Sequence, residues 1–171
     1  DLRQCREKFG MPVLRLTPDY HGYALSDPCA SELISEAHGL GMRVAFYWRI
    51  VDPRGRHWLD PGREADGALV EQVMAQFPEH PFLMLNFTRV LSRPDTQAPC
   101  LYDITYFLGR NGLLLMDHLA AHGAARFVLG TTMLMRYGSA PLLALEKCEL
   151  SSKEREAILW RNIAKLIPEL S

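Results

Sequence analysis

The feature that most constrains the fold is a repeated alternation of short apolar, β-rich runs with helical patterns. Five runs have the composition of buried strands, and a segment with helical character follows each. The predicted strands are 12–17, 43–50, 81–87, 100–106 and 126–131. Such alternation favours a parallel sheet, because consecutive parallel strands need a crossover long enough to hold a helix. The sequence therefore predicts an α/β protein of parallel β/α repeats in sequential order, with right-handed crossovers.

Helix start and stop signals locate the crossovers. Asp27-Pro28 supplies an N-cap followed by proline at the first helical position, and Gly41 follows the helix that they open. Ser151-Ser-Lys-Glu154 has the pattern of a capping box. The predicted helices are 1–9, 27–40, 64–77, 111–122, 139–148 and 151–166. No linker or low-complexity stretch separates the repeats, so we expect one domain over 1–171.

Composition narrows the function classes. With 48% apolar and 23% charged residues, the chain has the composition of an ordinary globular domain. A formal net charge of −1 provides no field to recruit nucleic acid or an acidic membrane surface. No apolar run approaches the length of a membrane span, and the first residues show no signal-peptide pattern, so we expect a cytoplasmic protein. The widely spaced cysteines form no C-x-x-C pair, which argues against a disulfide framework or a thiolate zinc site. They are Cys5, Cys29, Cys100 and Cys148.

Five β/α units are compatible with two architectures, an open doubly wound sheet or part of a TIM (β/α)₈ barrel. No strand is followed by a glycine-rich dinucleotide fingerprint or by a P-loop, which weakens the nucleotide-binding version. A complete barrel usually needs about 250 residues. A barrel of this length would therefore be partial, lacking about three units.

Polar side chains follow or end every predicted strand, in particular within the runs Thr17–Asp27 and Asp52–His57. The carboxyl ends of parallel strands share one face, so we expect these side chains to open onto one cleft there. The candidate catalytic residues are His21, Asp52, His57 and Asp103. The candidate substrate-binding residues are Tyr23, Tyr47, Arg49, Arg54, Asn86 and Thr132.

Each of these candidates has a chemical reason and a structural alternative. A histidine beside a carboxylate can transfer protons near neutral pH, and arginine can clamp a carboxylate or phosphate through two hydrogen bonds. The same runs could instead pin long loops through side-chain to backbone hydrogen bonds, with Asp52 and Arg54 as an internal ion pair. Asp103 occupies an inward strand position, where a charge needs a reason. His118 and His122 have the spacing of two metal ligands on one helix face, but no third ligand is evident, so a solvated helix end is preferred.

Several motifs occur along the chain in an order that is typical of one protein family. The first half has Arg15-Leu-Thr-Pro18 at a strand end, then His21-Gly-Tyr-Ala-Leu-Ser-Asp-Pro28 and Asp52-Pro-Arg-Gly-Arg-His57. The second half has Arg126-Phe-Val-Leu-Gly-Thr-Thr-Met133, and its last helix contains Glu154-Arg-Glu-Ala-Ile-Leu159 and continues to Leu166. In this order the motifs resemble those of the amidohydrolase-related TIM-barrel hydrolases. The resemblance implies that the chain corresponds to the last five barrel units, with 12–17 as the fourth strand.

The resemblance also implies where that family's metal ligands would fall. Its first-strand H-x-H pair has no counterpart in this chain. Its fifth-strand histidine corresponds to Tyr47, its sixth-strand histidine to Asn86 and its eighth-strand aspartate to Thr132. These side chains are poor zinc ligands beside His, Cys and carboxylate. No cofactor is therefore predicted, and a divalent metal such as zinc is expected only if its ligands lie outside this chain.

These observations lead to two main hypotheses of function. The first is a hydrolase or lyase that acts on a small carboxylated molecule with a degenerate metal site. The alternative is a non-catalytic binding or partner subunit of the same fold, and a third is a fragment whose ligands lie in absent units. The expected partner is a small-molecule substrate, with neither nucleic acid nor membrane. Strands 12–17 and 126–131 would be open edges, so we expect a homo-oligomer, a covering partner or the terminal helices to cover them.

Overall fold

A computed structural model describes residues 1–51, 55–93, 98–107, 113–132 and 138–170. In these ranges the strands are β1 (Val13–Leu16), β2 (Arg43–Tyr47), β3 (Phe82–Leu85), β4 (Cys100–Asp103) and β5 (Phe127–Val128). The helices are α1 (Leu2–Phe9), α2 (Pro18–His21), α3 (Pro28–Gly39), α4 (Gly67–Gln76), α5 (Leu113–His122), α6 (Ser139–Lys147), α7 (Ser152–Glu156) and α8 (Asn162–Leu166). A π-helical segment, Ala157–Arg161, joins α7 to α8, and short 3₁₀ turns lie at Ala124–Arg126 and Pro168–Leu170.

The five strands form one parallel sheet in the order β1-β2-β3-β4-β5, so the predicted α/β class and sequential order are confirmed. Val13 pairs with Arg43 at the start of β1 and β2, and Tyr102 pairs with Phe127 in β4 and β5. The outer strands of this order are β1 and β5, as predicted. The covering of their edges by a partner stays a prediction.

Every observed strand is shorter than its predicted run, mainly at the carboxyl end. The predicted third strand extended to 87, but Asn86 has a φ of 60°, which is left-handed and ends β3 at Leu85. The helix predicted from 64 begins at Gly67, because the Asp66 carboxylate accepts hydrogen bonds from the backbone of Ala68 and Leu69 and is the N-cap. The four-residue helix α2 was not predicted.

Contacts divide the chain into two compact units. The first contains Asp1–Leu83 and Leu91–Pro99, and the second contains Met84–Val90 and Cys100–Ser171. The prediction of one domain over 1–171 stays a prediction. None of the helices within the described ranges has the length and hydropathy needed to span a membrane.

The core of the first unit lies between β2 and the buried face of α3. Val44, Ala45 and Phe46 are consecutive and all buried, as expected where a parallel strand is covered on both faces. Ala30, Ile34 and Ala37 are the buried residues of α3, at the three- and four-residue spacing of one helix face.

The core of the second unit is aromatic. Phe107 meets Phe127 edge to face with ring centroids 5.4 Å apart, and Phe87 meets Tyr102 in the same way at 6.0 Å. The buried Asn162 side chain donates to the carbonyl oxygens of Ala124 at 2.9 Å and Phe127 at 2.8 Å. These two bonds fasten the last helix to the start of β5.

Candidate functional site

A cavity of about 370 Å³ lies in the first unit, at the carboxyl ends of β1 and β2. Its walls are α2 with the loop that follows, the residues just after β2, and the segment that leads into α4. The tyrosines and charged residues among its lining are Asp19, Tyr20, Tyr23, Asp27, Tyr47, Arg49, Arg63, Glu64 and Asp66. Three of the predicted substrate-binding residues, Tyr23, Tyr47 and Arg49, are thus brought together.

The carboxylates of the cavity are engaged with groups of the protein itself. Asp19 accepts a hydrogen bond from the Arg63 backbone at 3.0 Å, and Asp27 accepts one from the Ala24 backbone at 2.8 Å. Asp66 caps α4. These bonds hold the loops in place, which is the common role of Asp in irregular segments.

Two arginines of the cavity differ in what they contact. The Arg49 guanidinium, mostly buried, forms an ion pair with the Glu64 carboxylate, so this predicted clamp is already engaged. Arg63 is exposed, and within the described ranges no hydrogen-bond or ion-pair partner of its guanidinium is found. Arg63 was not predicted from the sequence. Its place directly before the predicted helix 64–77, in the run Pro61-Gly-Arg-Glu64, is a signal of a loop residue at a strand-to-helix connection.

Aromatic rings make up much of the remaining polar lining. The Arg15 guanidinium lies over the Tyr47 ring, 5.4 Å from its centroid, in a cation–π contact. The Tyr23 hydroxyl is buried and forms no hydrogen bond to the described residues. Burial, and then the nearby Cys29, raise the pKa of Tyr23, so this phenol stays protonated at neutral pH.

The predicted histidines lie at the surface near these loops and do not line the cavity. His21 is exposed, with both ring nitrogens 3.4 Å from Thr17 Oγ1, and its ring stacks with that of Tyr23. His57 is also exposed, and its Nδ1 accepts a hydrogen bond from the Leu59 backbone at 3.2 Å. Asp52 and Arg54 lie outside the described residues. The predicted catalytic roles of His21 and His57 stay predictions.

A second polar cluster lies in the other unit, at the carboxyl ends of β3, β4 and β5. Asp103, only 4% exposed, accepts hydrogen bonds from the backbone of Asn86 and of Thr105, each at 3.2 Å. The Thr132 hydroxyl lies 3.4 Å from Asn86 Oδ1 and 3.3 Å from Thr105 Oγ1, so it can donate to one of them at a time. The inward position predicted for Asp103 is therefore correct.

Burial controls the acidity of this carboxyl group. Desolvation raises the pKa of Asp103 to about 6, although its hydrogen bonds with Asn86 and Thr105 act in the opposite direction. A carboxyl group with a pKa near neutrality can both release and accept a proton at working pH. Perturbed acids of this kind are concentrated at functional sites, although purely structural clusters also contain them.

The backbone around Asp103 is unusual. Asn86 and Thr132 both have left-handed φ angles, of 60° and 47°, which residues with a Cβ rarely adopt. A Cβ atom at Gly130 would lie 2.5 Å from the Cβ of Asp103, so only glycine allows this approach. Local strain of this kind persists where the surrounding structure holds a particular arrangement of side chains.

The donors at the three positions matched to the family's metal ligands do not fit such a metal. Tyr47 is a phenol whose ring faces the Arg15 guanidinium, a cation that opposes metal binding. Asn86 and Thr132 offer an amide and a hydroxyl that are 3.4 Å apart and can bond to each other. Phenol, amide and hydroxyl are weak zinc ligands compared with imidazole, thiolate and carboxylate.

Metal chemistry elsewhere has little support in the described part of the chain. His118 and His122 stack on α5 with ring centroids 5.9 Å apart, and burial followed by the His122 charge lowers the pKa of His118. Within the described residues, no three His, Cys, Asp or Glu side chains are placed to hold a metal together. The four cysteines are free thiols.

Comparison with known proteins identifies the fold. Neither a protein-family model nor a curated protein matches the sequence. An uncharacterised TIM-barrel protein from Bordetella bronchiseptica superposes with a TM-score of 0.73 and 13% identity, over 98% of this chain and 60% of that one. A protein from Staphylococcus aureus assigned as an amidohydrolase has a TM-score of 0.67 and 11% identity, over 97% and 67% of the two chains.

A third solved structure is an enzyme with ligands bound. A dihydroxybenzoic acid decarboxylase from Polaromonas, with manganese and the inhibitor 2-nitroresorcinol, has a TM-score of 0.66 and 13% identity, over 99% of this chain and 64% of that one. The chain thus spans 60 to 67% of the length of these three structures. At such identities the likeness establishes the fold, which is that of part of a TIM barrel rather than an open doubly wound sheet. The predicted resemblance is confirmed as one of fold, since a protein assigned as an amidohydrolase is among the structures that share it.

Proposed function

We propose that the chain is part of a lyase or hydrolase that acts on a small carboxylated aromatic molecule, which binds in the cavity of the first unit. The observation that carries the proposal is the position of this cavity, since TIM-barrel enzymes bind substrate at the carboxyl ends of their strands. Its volume of about 370 Å³ is in the range of small-molecule sites.

The lining suggests how such a ligand would bind. Tyr20, Tyr23 and Tyr47 offer rings that can pack against an aromatic ligand. Arg63 is the side chain assigned to the ligand carboxylate, because the Arg49 guanidinium is already paired with Glu64. The inhibitor of the Polaromonas enzyme, 2-nitroresorcinol, is likewise a small substituted aromatic ring.

Turnover of such a ligand would also require a proton-transfer step. Loss of carbon dioxide from an aromatic acid breaks the bond to the carboxylate and requires a proton at the ring carbon, and hydrolysis likewise requires proton transfer. Asp103, with a pKa of about 6, has the acidity for such a step but lies in the second unit, so no step on the cavity ligand is assigned to it. The Polaromonas decarboxylase binds manganese. The donors at the matched positions of this chain do not fit a metal, so no step is assigned to one.

Calorimetric titration with benzoate tests the binding half of the proposal. Arg63→Gln should weaken benzoate binding about tenfold to a hundredfold, because a hydrogen-bonded charge pair is lost. Arg3→Gln removes the same charge from an exposed pair with Glu36 that does not line the cavity, and should leave binding unchanged. The neutral ligand phenol should bind both variants equally. An Arg63 variant that behaves like the Arg3 control, or a wild-type protein that binds neither ligand, would contradict the proposal.

A non-catalytic binding subunit is the second candidate, favoured by the phenol, amide and hydroxyl that Tyr47, Asn86 and Thr132 place at the metal-ligand positions. Turnover separates the two candidates. Carbon dioxide release from dihydroxybenzoates and hydrolysis of aryl amides should be measured on the wild type and on Arg63→Gln. An enzyme should turn over one of these substrates, and its kcat/KM should fall in Arg63→Gln by about the same factor as its benzoate affinity. Ligand binding without turnover in the wild type would support the binding subunit.

A further inference from the structure

The Tyr20 ring forms part of the cavity wall and rests against Gly62. A Cβ atom built on Gly62 would lie 2.2 Å from Tyr20 Cζ and 2.3 Å from its hydroxyl oxygen. Gly62 is buried, and no other residue type allows the ring this close to the backbone. The hydroxyl end of Tyr20 is therefore seated on the loop that precedes α4.

Asp60 holds the ring on this seat. Its carboxylate accepts a hydrogen bond from the Tyr20 hydroxyl and another, to Oδ1, from the Gly62 backbone at 2.9 Å. The Asp60 carbonyl oxygen also accepts a bond from the Arg56 guanidinium at 2.8 Å. Burial first, and then the Asp60 bond, raise the pKa of Tyr20, so the phenol remains a donor to Asp60 at neutral pH.

A second bond joins the same two segments beside the first. The Arg63 backbone donates to Asp19 at 3.0 Å, so adjacent residues of α2, Asp19 and Tyr20, are each tied to the loop around Gly62. Because Tyr20 and Arg63 both line the cavity, these hydrogen bonds fix the position of the cavity wall and of the Arg63 residue within it.

Tyr20 lines two adjoining spaces, of which the main cavity is the larger. It also lines an adjoining recess of about 20 Å³, together with Gly62 and Arg63. The recess and the cavity share Tyr20, Arg49, Ile50, Arg63 and Glu64. Movement of the Tyr20 ring off its seat would therefore change the space available to a ligand.

We infer that Asp60 and Gly62 form a seat for Tyr20 that sets the size of ligand the cavity accepts, favouring single-ring over two-ring aromatic carboxylates. This inference rests on the proposed function. Asp60 is a positioning residue, since it acts through Tyr20. Its effect should appear as a change in ligand selectivity, which a purely structural role would not produce.

The test is the ratio of the dissociation constants for 2-naphthoate and benzoate. Asp60→Ala should lower the ratio about tenfold, because the freed ring makes room for the second ring of naphthoate. Tyr20→Phe should act in the same direction, and the double variant should add little, since both changes break one bond. Asp60→Asn should rescue much of the selectivity, because its amide oxygen still accepts.

Gly62→Ala tests the seat from the other side. Its methyl group must displace the Tyr20 ring and should therefore weaken benzoate binding about tenfold. Gly55→Ala in the same loop is the matched control, because a Cβ there meets nothing within 4 Å. Equal benzoate affinities for the two alanine variants would refute the seat.

The outcomes distinguish the two proposals. A wild type that binds benzoate, with Asp60→Ala and Tyr20→Phe ratios within twofold of the wild-type ratio, overturns the seat and leaves the proposed function intact. A wild type that binds neither acid overturns both. Ultraviolet titration of the tyrosines supplies a readout without ligand. One phenol should titrate at lower pH in Asp60→Ala than in the wild type, and identical curves would refute the Tyr20–Asp60 bond.

Discussion

Two polar regions occupy the same topological position, the carboxyl ends of parallel strands, and are built in opposite ways. In the first unit the polar side chains surround a cavity, and its carboxylates bind backbone N–H groups or the Arg49 guanidinium. In the second unit the polar side chains contact one another around the buried Asp103. In both units the polar residues lie at the carboxyl ends of strands, whereas their burial determines their acid–base properties.

The acid–base properties of the two units show the same contrast. In the first unit, Asp60 has a lowered pKa, mainly because its carboxylate accepts a hydrogen bond from the Gly62 backbone and then because it accepts one from Tyr20. Desolvation raises the pKa of Asp103 in the second unit to about 6. The first unit also buries a histidine, His80, whose pKa desolvation lowers to about 4. Asp103 and His80 should therefore impose opposite pH dependences on stability.

The largest expected effect is the contribution of Asp103 to the pH dependence of the unfolding free energy. A raised pKa favours the folded state while the carboxyl group is protonated, so its contribution is present below pH 3.8 and is lost as the pH rises through about 6. Between pH 4 and 7 the wild type should lose about 2.5 kcal/mol of unfolding free energy relative to Asp103→Asn. Urea denaturation across this range measures the difference. A difference between the two proteins that is independent of pH would show that Asp103 is not desolvated.

The next effect concerns the packing around Asp103. Gly130→Ala should cost about 2 kcal/mol of unfolding free energy, because the new Cβ would lie 2.5 Å from the Cβ of Asp103. Gly39→Ala is the matched control. Its Cβ meets nothing within 4 Å at the end of α3, and alanine is the better helix former. Equal stability of the two variants would mean that the second unit is not packed tightly at this site.

A smaller effect of opposite sign is expected from His80 in the first unit. Burial, and then the charges of His38, Arg43 and Arg93, lower its pKa from 6.5 to about 4. A lowered pKa stabilises the fold while the ring is neutral, so this contribution is lost as the pH falls below 6.5 toward 4. Between pH 7.5 and pH 5 the wild type should lose about 1.5 kcal/mol of unfolding free energy relative to His80→Gln. Parallel pH curves for the two proteins would contradict the burial of a neutral ring.

The smallest effect tests whether the cavity carboxylates are structural. Asp66→Ala should cost about 1 kcal/mol of unfolding free energy, because α4 loses the side chain that caps its first turn. Benzoate affinity should remain within twofold, since the proposed ligand contact is Arg63. Thermal denaturation and calorimetry measure the two quantities. Loss of affinity with unchanged stability would make Asp66 a ligand-binding residue, and the contrast between the units would need revision.

Much of the site was predictable where it depended on strand ends. Tyr23, Tyr47 and Arg49 follow or end β1 and β2, and the cavity brings them together. Arg63 and Tyr20 were missed, because their place in the wall depends on hydrogen bonds between residues about forty positions apart, such as Asp19 with Arg63. Side-chain pairing of that kind leaves no local pattern. His21 ends the short helix α2 and His57 lies in a loop, and both are exposed at the surface.

The sequence by itself determined the order and direction of the strands. Apolar runs and helix caps are local, and parallel strands joined by short helical crossovers have few arrangements open to them. Only the tertiary structure decided which polar residues bound a cavity and which are buried. The acidity of Asp103 and the seating of Tyr20 on Gly62 depend on desolvation and on contacts across the fold, and these arise only once distant segments pack together.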